Sequence, residues 1–108
     1  MKIMNMTLYG MSEVRKGYNI YLTNKMDADR HSKSKTHVKV SDSITSARKD
    51  ALSLLKKGNH KYAIIYKGEN ERAEGAMYMD GNIPCWVNET HNYIVNSDGS
   101  IRNGVRYR

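Results

Sequence analysis

The chain has no phenylalanine, one cysteine, one proline and no long apolar run. Each scarcity excludes something. A single thiol, Cys85, cannot close an internal disulfide, so a disulfide-stapled secreted scaffold is ruled out. The longest apolar stretch is Tyr62-Ala63-Ile64-Ile65, with Tyr66 at most added, whereas a membrane-spanning helix needs about 20 such residues. The opening MKIMNMTLYGM carries a lysine but neither an apolar core of signal-peptide length nor a small-residue cleavage site. These absences lead to the expectation of a cytoplasmic protein with no membrane partner. Internal repeats, low-complexity runs and Pro/Gly linkers are also missing, so 1–108 reads as one domain.

Acidic residues are scarce too. Eleven Asp and Glu stand against 18 Lys and Arg, for a formal net charge of +7 on 108 residues. What is plentiful is tyrosine, eight of them, within a hydrophobic fraction of 39%, enough to build a core rather than a disordered chain. The wealth of Lys, Asn, Ile, Tyr and Met has the character of a small bacteriophage or bacterial accessory protein.

Periodicity organises the chain. Ile3 to Tyr9 alternates as a strand and Tyr18 to Thr23 repeats the pattern, so a hairpin connected through Gly10 to Gly17 is predicted. Asn24 to Thr36 is polar and reads as a loop, and His37 to Val40 as a short strand. One helix is predicted over Ser43 to Lys57: Ser41, Asp42 and Ser43 offer N-cap side chains, Ile44, Ala47, Ala51, Leu54 and Leu55 form one stripe, and Gly58 ends it. Lys61 to Lys67 is apolar on both faces and reads as a central strand. Arg72 to Met79 follows, with Gly75 as a bulge, then the turn Asp80-Gly81-Asn82, then Ile83 to Asn88 with Pro84 near its start. His91 to Asn96 and Ser100 to Tyr107 complete a meander around the turn Asn96-Ser97-Asp98-Gly99. The predicted fold class is α+β, a mainly antiparallel sheet with one helix packed on one face.

The charge is unevenly placed. Residues 1–41 carry +5, and residues 68–80 carry −3, because Glu69, Glu71, Glu74 and Asp80 outweigh Arg72. Two stretches show finer order. Lys33, Lys35, His37 and Lys39 share parity, so an extended chain would line them along one side. Arg102, Arg106 and Arg108 share parity opposite Ile101, Val105 and Tyr107, the pattern of an apolar-in, basic-out strand. Lysine offers phosphate a point charge and arginine a planar fork. Two such rows would track a nucleic-acid backbone, with Tyr9, Tyr21 or Tyr107 available to stack a base. Against this stands the plain role of charge on an edge strand, which is to stay solvated and block aggregation.

Motifs for catalysis are weak. Cys85 and His91, with Asn92 or Asp98 as a third group, are the only local Cys–His combination, but Cys85 sits in the apolar segment Ile83-Pro84-Cys85-Trp86-Val87 and reads as an inert thiol. Zinc ligation would draw on Cys85, His31, His37, His60 and His91, whose spacings fit no zinc motif. The Asn96-Ser97-Asp98-Gly99 turn lacks the flanking acids of a calcium loop. The four acids of residues 68–80 read as a solvated hairpin rather than a carboxylate pair. No metal, cofactor or catalytic residue is therefore expected. Trp86 and Tyr107 are the candidate anchors for a protein partner, Trp86 otherwise being core.

The sequence thus points to a small, basic, non-enzymatic protein that contacts DNA or RNA through Lys33, Lys35, His37, Lys39, Arg102, Arg106 and Arg108. The alternative partner is a nucleic-acid-associated or host defence protein, which a phage-encoded inhibitor or adaptor would bind through the same basic surface.

Overall fold

A computed structural model describes residues 11–25, 33–88 and 104–107, with side chains from Val14 onward. The expected strands Ile3 to Tyr9 and His91 to Asn96, and the turn at 96–99, lie outside the described residues. In chain order the elements are helix α1 (Met11–Lys16), strand β1 (Tyr18–Thr23), strand β2 (Lys35–Ser41), helix α2 (Ile44–Leu55) and strands β3 (Tyr62–Lys67), β4 (Ala73–Asp80), β5 (Ile83–Asn88) and β6 (Val105–Arg106). The strands form one antiparallel sheet in the order β2-β1-β3-β4-β5-β6. The α+β class and its main helix are as the sequence predicts.

Four local departures correct the sequence reading. The segment expected to be a plain connection, Gly10 to Gly17, holds the short helix α1. The expected loop Asn24 to Thr36 ends two residues early, because β2 begins at Lys35. The main helix stops at Leu55, so Lys56 and Lys57 follow it instead of forming its last turn. The last strand is a two-residue pairing to β5, and its Val105 is 68% exposed where an inward side chain was expected. The rest of that expected strand, 100–103, lies outside the described residues.

The path of the chain follows from the pairing. β2 ends at Ser41 beside Tyr18, whereas β3 begins at Tyr62 beside Thr23. Helix α2 therefore runs back along the sheet, crossing over β1 to join two strands that flank it. Ser43 caps it: the backbone is extended there and Oγ accepts from the Ser46 N–H at 3.1 Å. Gly58, at φ 83°, turns the chain away after Leu55.

Both faces of the sheet are buried. On the helix face, Ile20, Leu22, Ala63, Ile65, Met77 and Trp86 pack with Ala47, Ala51 and Leu55. On the other face, Tyr21, Ile64, Tyr66, Ala73, Ala76 and Val87 form a second cluster. This is why β3 is apolar on both sides, and why Cys85, Trp86 and Val87 are all buried in succession. The expected bulge in β4 is real: Tyr66 pairs with Ala73 and Ile65 with Gly75, leaving Glu74 as the extra residue.

Candidate nucleic-acid interface

The first basic row does not form. β2 carries an extra residue, Val38: Tyr21 pairs with His37 while the adjacent Ile20 pairs with Lys39. A one-residue slip sends every following side chain to the other face. Lys35 and His37 consequently share the face of Thr23 and Tyr21, and are buried at 8% and 6% exposure. Lys39 lies on the helix face instead, where Nζ meets Asp50 Oδ2 at 3.2 Å. Lys33 is exposed in the turn ahead of the strand.

His37 belongs to the interior. Asn19 is fully buried and its Nδ2 donates to Gly68 O at 2.7 Å and Val14 O at 3.2 Å. That leaves Asn19 Oδ1 as an acceptor, so His37 Nε2, 2.9 Å away, carries a hydrogen and donates to it. The Tyr21 ring lies 4.8 Å from the imidazole, and Tyr66 meets Tyr21 edge-on at 5.4 Å. A side chain held this way cannot follow a phosphate backbone, and the same geometry removes Tyr21 as a surface for a base.

In the second row, Arg102 and Arg108 lie outside the described residues. Arg106 is exposed on β6 opposite Cys85. Tyr107 is half-buried, packs against the helix-face cluster and donates its N–H to Pro84 O at 2.9 Å. Trp86 is corrected as a partner anchor: it is 4% exposed, with the Arg48 guanidinium 4.4 Å from its ring centroid and its Nε1–H donated to Asn88 Oδ1. Cys85 is likewise buried, its Sγ 3.7 Å from Ile83 O; His91, Asn92 and Asp98 lie outside the described residues. Among the described residues no three His, Cys, Asp or Glu side chains converge as a metal site. Glu69 is paired to Arg15 at 2.9 Å, and β4 carries Asp80 to the opposite end of the sheet from Glu69, Glu71 and Glu74.

Topology assembles a different basic cluster. The β1 end at Thr23, the β2 start at Lys35, the exit from α2 and the entry to β3 all meet at one end of the sheet. Exposed Lys25, Lys33, Lys56, Lys57 and Lys61 are gathered there, with half-buried His60. A backbone-to-side-chain hydrogen bond ties two of the loops: Lys61 N–H donates to Asn24 Oδ1 at 2.9 Å. Thr23 Oγ1 fixes the next turn by accepting from the Lys25 N–H at 3.0 Å and donating to Lys25 O at 2.9 Å. None of the five lysines carries an ion pair among the described residues. The described acid at this end is Asp80. At the far end, among the residues whose side chains are described, Arg15, Lys16, Lys67 and Arg72 are accompanied by Asp42, Glu69, Glu71 and Glu74. The cluster has a sequence signal after all, the run Lys56-Lys57-Gly58-Asn59-His60-Lys61. Parity arguments pass over it because it is a loop.

Two hollows border this end. One, of about 580 Å³, is lined by Leu55, Gly58, His60, Lys61, Tyr62, Tyr78 and Met79. Another, of about 430 Å³, lies between α2 and Tyr107. Burial pushes the Tyr78 hydroxyl above its usual value; the Gly104 N–H, 3.1 Å away, opposes this, while Cys85 and Asp80 add to it. That hydroxyl stays protonated at neutral pH and is engaged as an acceptor. Among the described residues no helix is long and apolar enough to cross a membrane. Compared with family models, curated proteins and solved structures, the chain matches none of them.

Proposed function

We propose that this protein is a non-catalytic binding protein for the phosphate backbone of DNA or RNA, and that its contact surface is the lysine end of the sheet. The observation that carries the reading is the convergence at one end of five exposed lysines without ion pairs among the described residues, whereas at the other end the described basic residues are accompanied by acids. Lysines that already neutralise a carboxylate gain little from a phosphate. Unpaired ones replace the condensed counterions of the polymer, and that release drives binding. Clustering also concentrates the positive potential, which steers a polyanion to this end rather than to the whole surface. Arg106, exposed near the same end on β6, extends the surface, and Lys33 is the member of the predicted first row that remains in it.

The test is equilibrium binding to labelled DNA and RNA over a salt series. Log affinity should fall linearly with log salt, with a slope near −3 to −5 for four to five phosphate contacts, taking about 0.7 to 0.9 per contact. No binding at low salt, or a flat salt dependence, overturns the reading. Capture of a protein partner that survives nuclease treatment, without nucleic-acid binding, favours the inhibitor or adaptor alternative.

A further inference from the structure

We infer that the bound nucleic acid is single-stranded, with an unpaired base received in the groove between α2 and Tyr107. This rests on the nucleic-acid reading above and adds strandedness and a path to it. Helix α2 packs chiefly over β1 to β4 and reaches β5 through Arg48, which covers the Trp86 ring; the groove lies beside this contact, between α2 and Tyr107. Thr45, Lys49, Leu52 and Ser53 form one wall and Tyr107 the other of an open hollow of about 430 Å³. Tyr107 is fixed there by its N–H bond to Pro84 O.

The lining has the chemistry of a nucleotide site. Leu52 and Tyr107 offer an apolar and an aromatic surface for a base. Thr45 and Ser53 supply hydroxyls that donate or accept, and exposed Lys49 supplies charge at the rim. Residues four apart on a helix lie one above another, so Thr45, Lys49 and Ser53 continue into the Lys56-Lys57 exit. The helix wall of the groove thus leads along α2 to the lysine end, where a second hollow lies beside Leu55 and His60. A duplex keeps its bases paired and stacked inside, and presents a convex backbone that cannot enter either hollow. A single strand can lay its phosphates on the lysines and turn a base into the groove, where stacking adds affinity with little sequence preference.

The test is fluorescence anisotropy at low salt with three probes of about 15 nucleotides: oligothymidylate, oligouridylate and a DNA duplex. The single strands should bind roughly tenfold more tightly than the duplex or better. Tyr107→Ala should cost about tenfold on the single strands and leave duplex binding unchanged, while Tyr107→Phe, which keeps the ring, should retain wild-type affinity. Because Tyr107 also packs against the core, a second variant guards the conclusion: Ser53→Leu fills the groove from the exposed side of the helix and should remove the single-strand advantage. Duplex binding as tight as single-strand binding, or variants that weaken both forms equally, overturns this inference alone. Failure to bind any of the three probes overturns the nucleic-acid reading beneath it.

Discussion

The indole of Trp86 lies where a side chain on Gly75 would begin. A Cβ there would collide with Trp86 Cζ2 and Cη2 and with the Val87 carbonyl oxygen, all in a packed interior. Gly75→Ala should destabilise the protein by about 2–3 kcal/mol, the usual cost of overpacking a core. In thermal unfolding that is a drop of roughly 10–20 °C. Gly81, by contrast, opens onto empty space, and its substitution meets only the strain of a positive φ of 64°. Gly81→Ala should therefore cost about 1 kcal/mol.

Asp50 is the residue that pins the edge strand to the helix. Its Oδ2 accepts from Ser41 Oγ at 2.7 Å and pairs with Lys39 Nζ at 3.2 Å. Burial pushes the carboxyl up, but the bonds from Ser41 and Lys39 and the charges of Lys39 and Lys49 together hold it below its usual range. A carboxyl lowered in the folded state stabilises the fold above its unfolded pKa of about 4, and that contribution is lost as pH falls through the lowered folded value. Asp50→Asn should thus be less stable than the wild type at pH 7, by less than about 1 kcal/mol for so exposed a pair. Denaturant titrations at descending pH should show the difference closing below about pH 4.

At the scale of elements, the sequence is most legible where one rule acts alone. β1 and β5 have the bounds that alternation and turn residues assign, and α2 is announced by its cap, its stripe and Gly58. Ser43→Ala removes the acceptor for the Ser46 N–H, and chemical denaturation should register a loss of about 1 kcal/mol. Legibility fails where a second influence enters. Parity placed four basic residues on one side of β2, but the bulge at Val38 divides them, and no composition rule marks a bulge inside Lys-Thr-His-Val-Lys-Val. Alternation puts Trp86 on the face opposite Cys85 and Val87, yet a sheet buried on both faces takes all three inside. The residues that parity grouped into one row are therefore dispersed. Lys33 and Arg106 stay on the surface, Lys35 and His37 go into the interior, and Lys39 turns to Asp50.

For the whole molecule, the net charge of +7 matters less than its distribution. The antiparallel order and the return of α2 bring loops that are distant in sequence to one end, and those loops hold the five lysines that carry no ion pair among the described residues. This makes polarity of binding the central claim, and a pair of equal-charge variants measures it. Lys56→Gln/Lys57→Gln and Lys16→Gln/Arg72→Gln each remove two positive charges from exposed positions, at opposite ends of the sheet. Affinity for a labelled single-stranded oligonucleotide is compared over a salt series, with thermal unfolding as a check on the fold. The first variant should lose about tenfold or more at low salt, with its salt slope shallower by about 1.5. The second should remain within about threefold of the wild type, because only the long-range field has changed. Equal losses in the two variants would contradict a localised interface and leave net charge alone as the cause of binding.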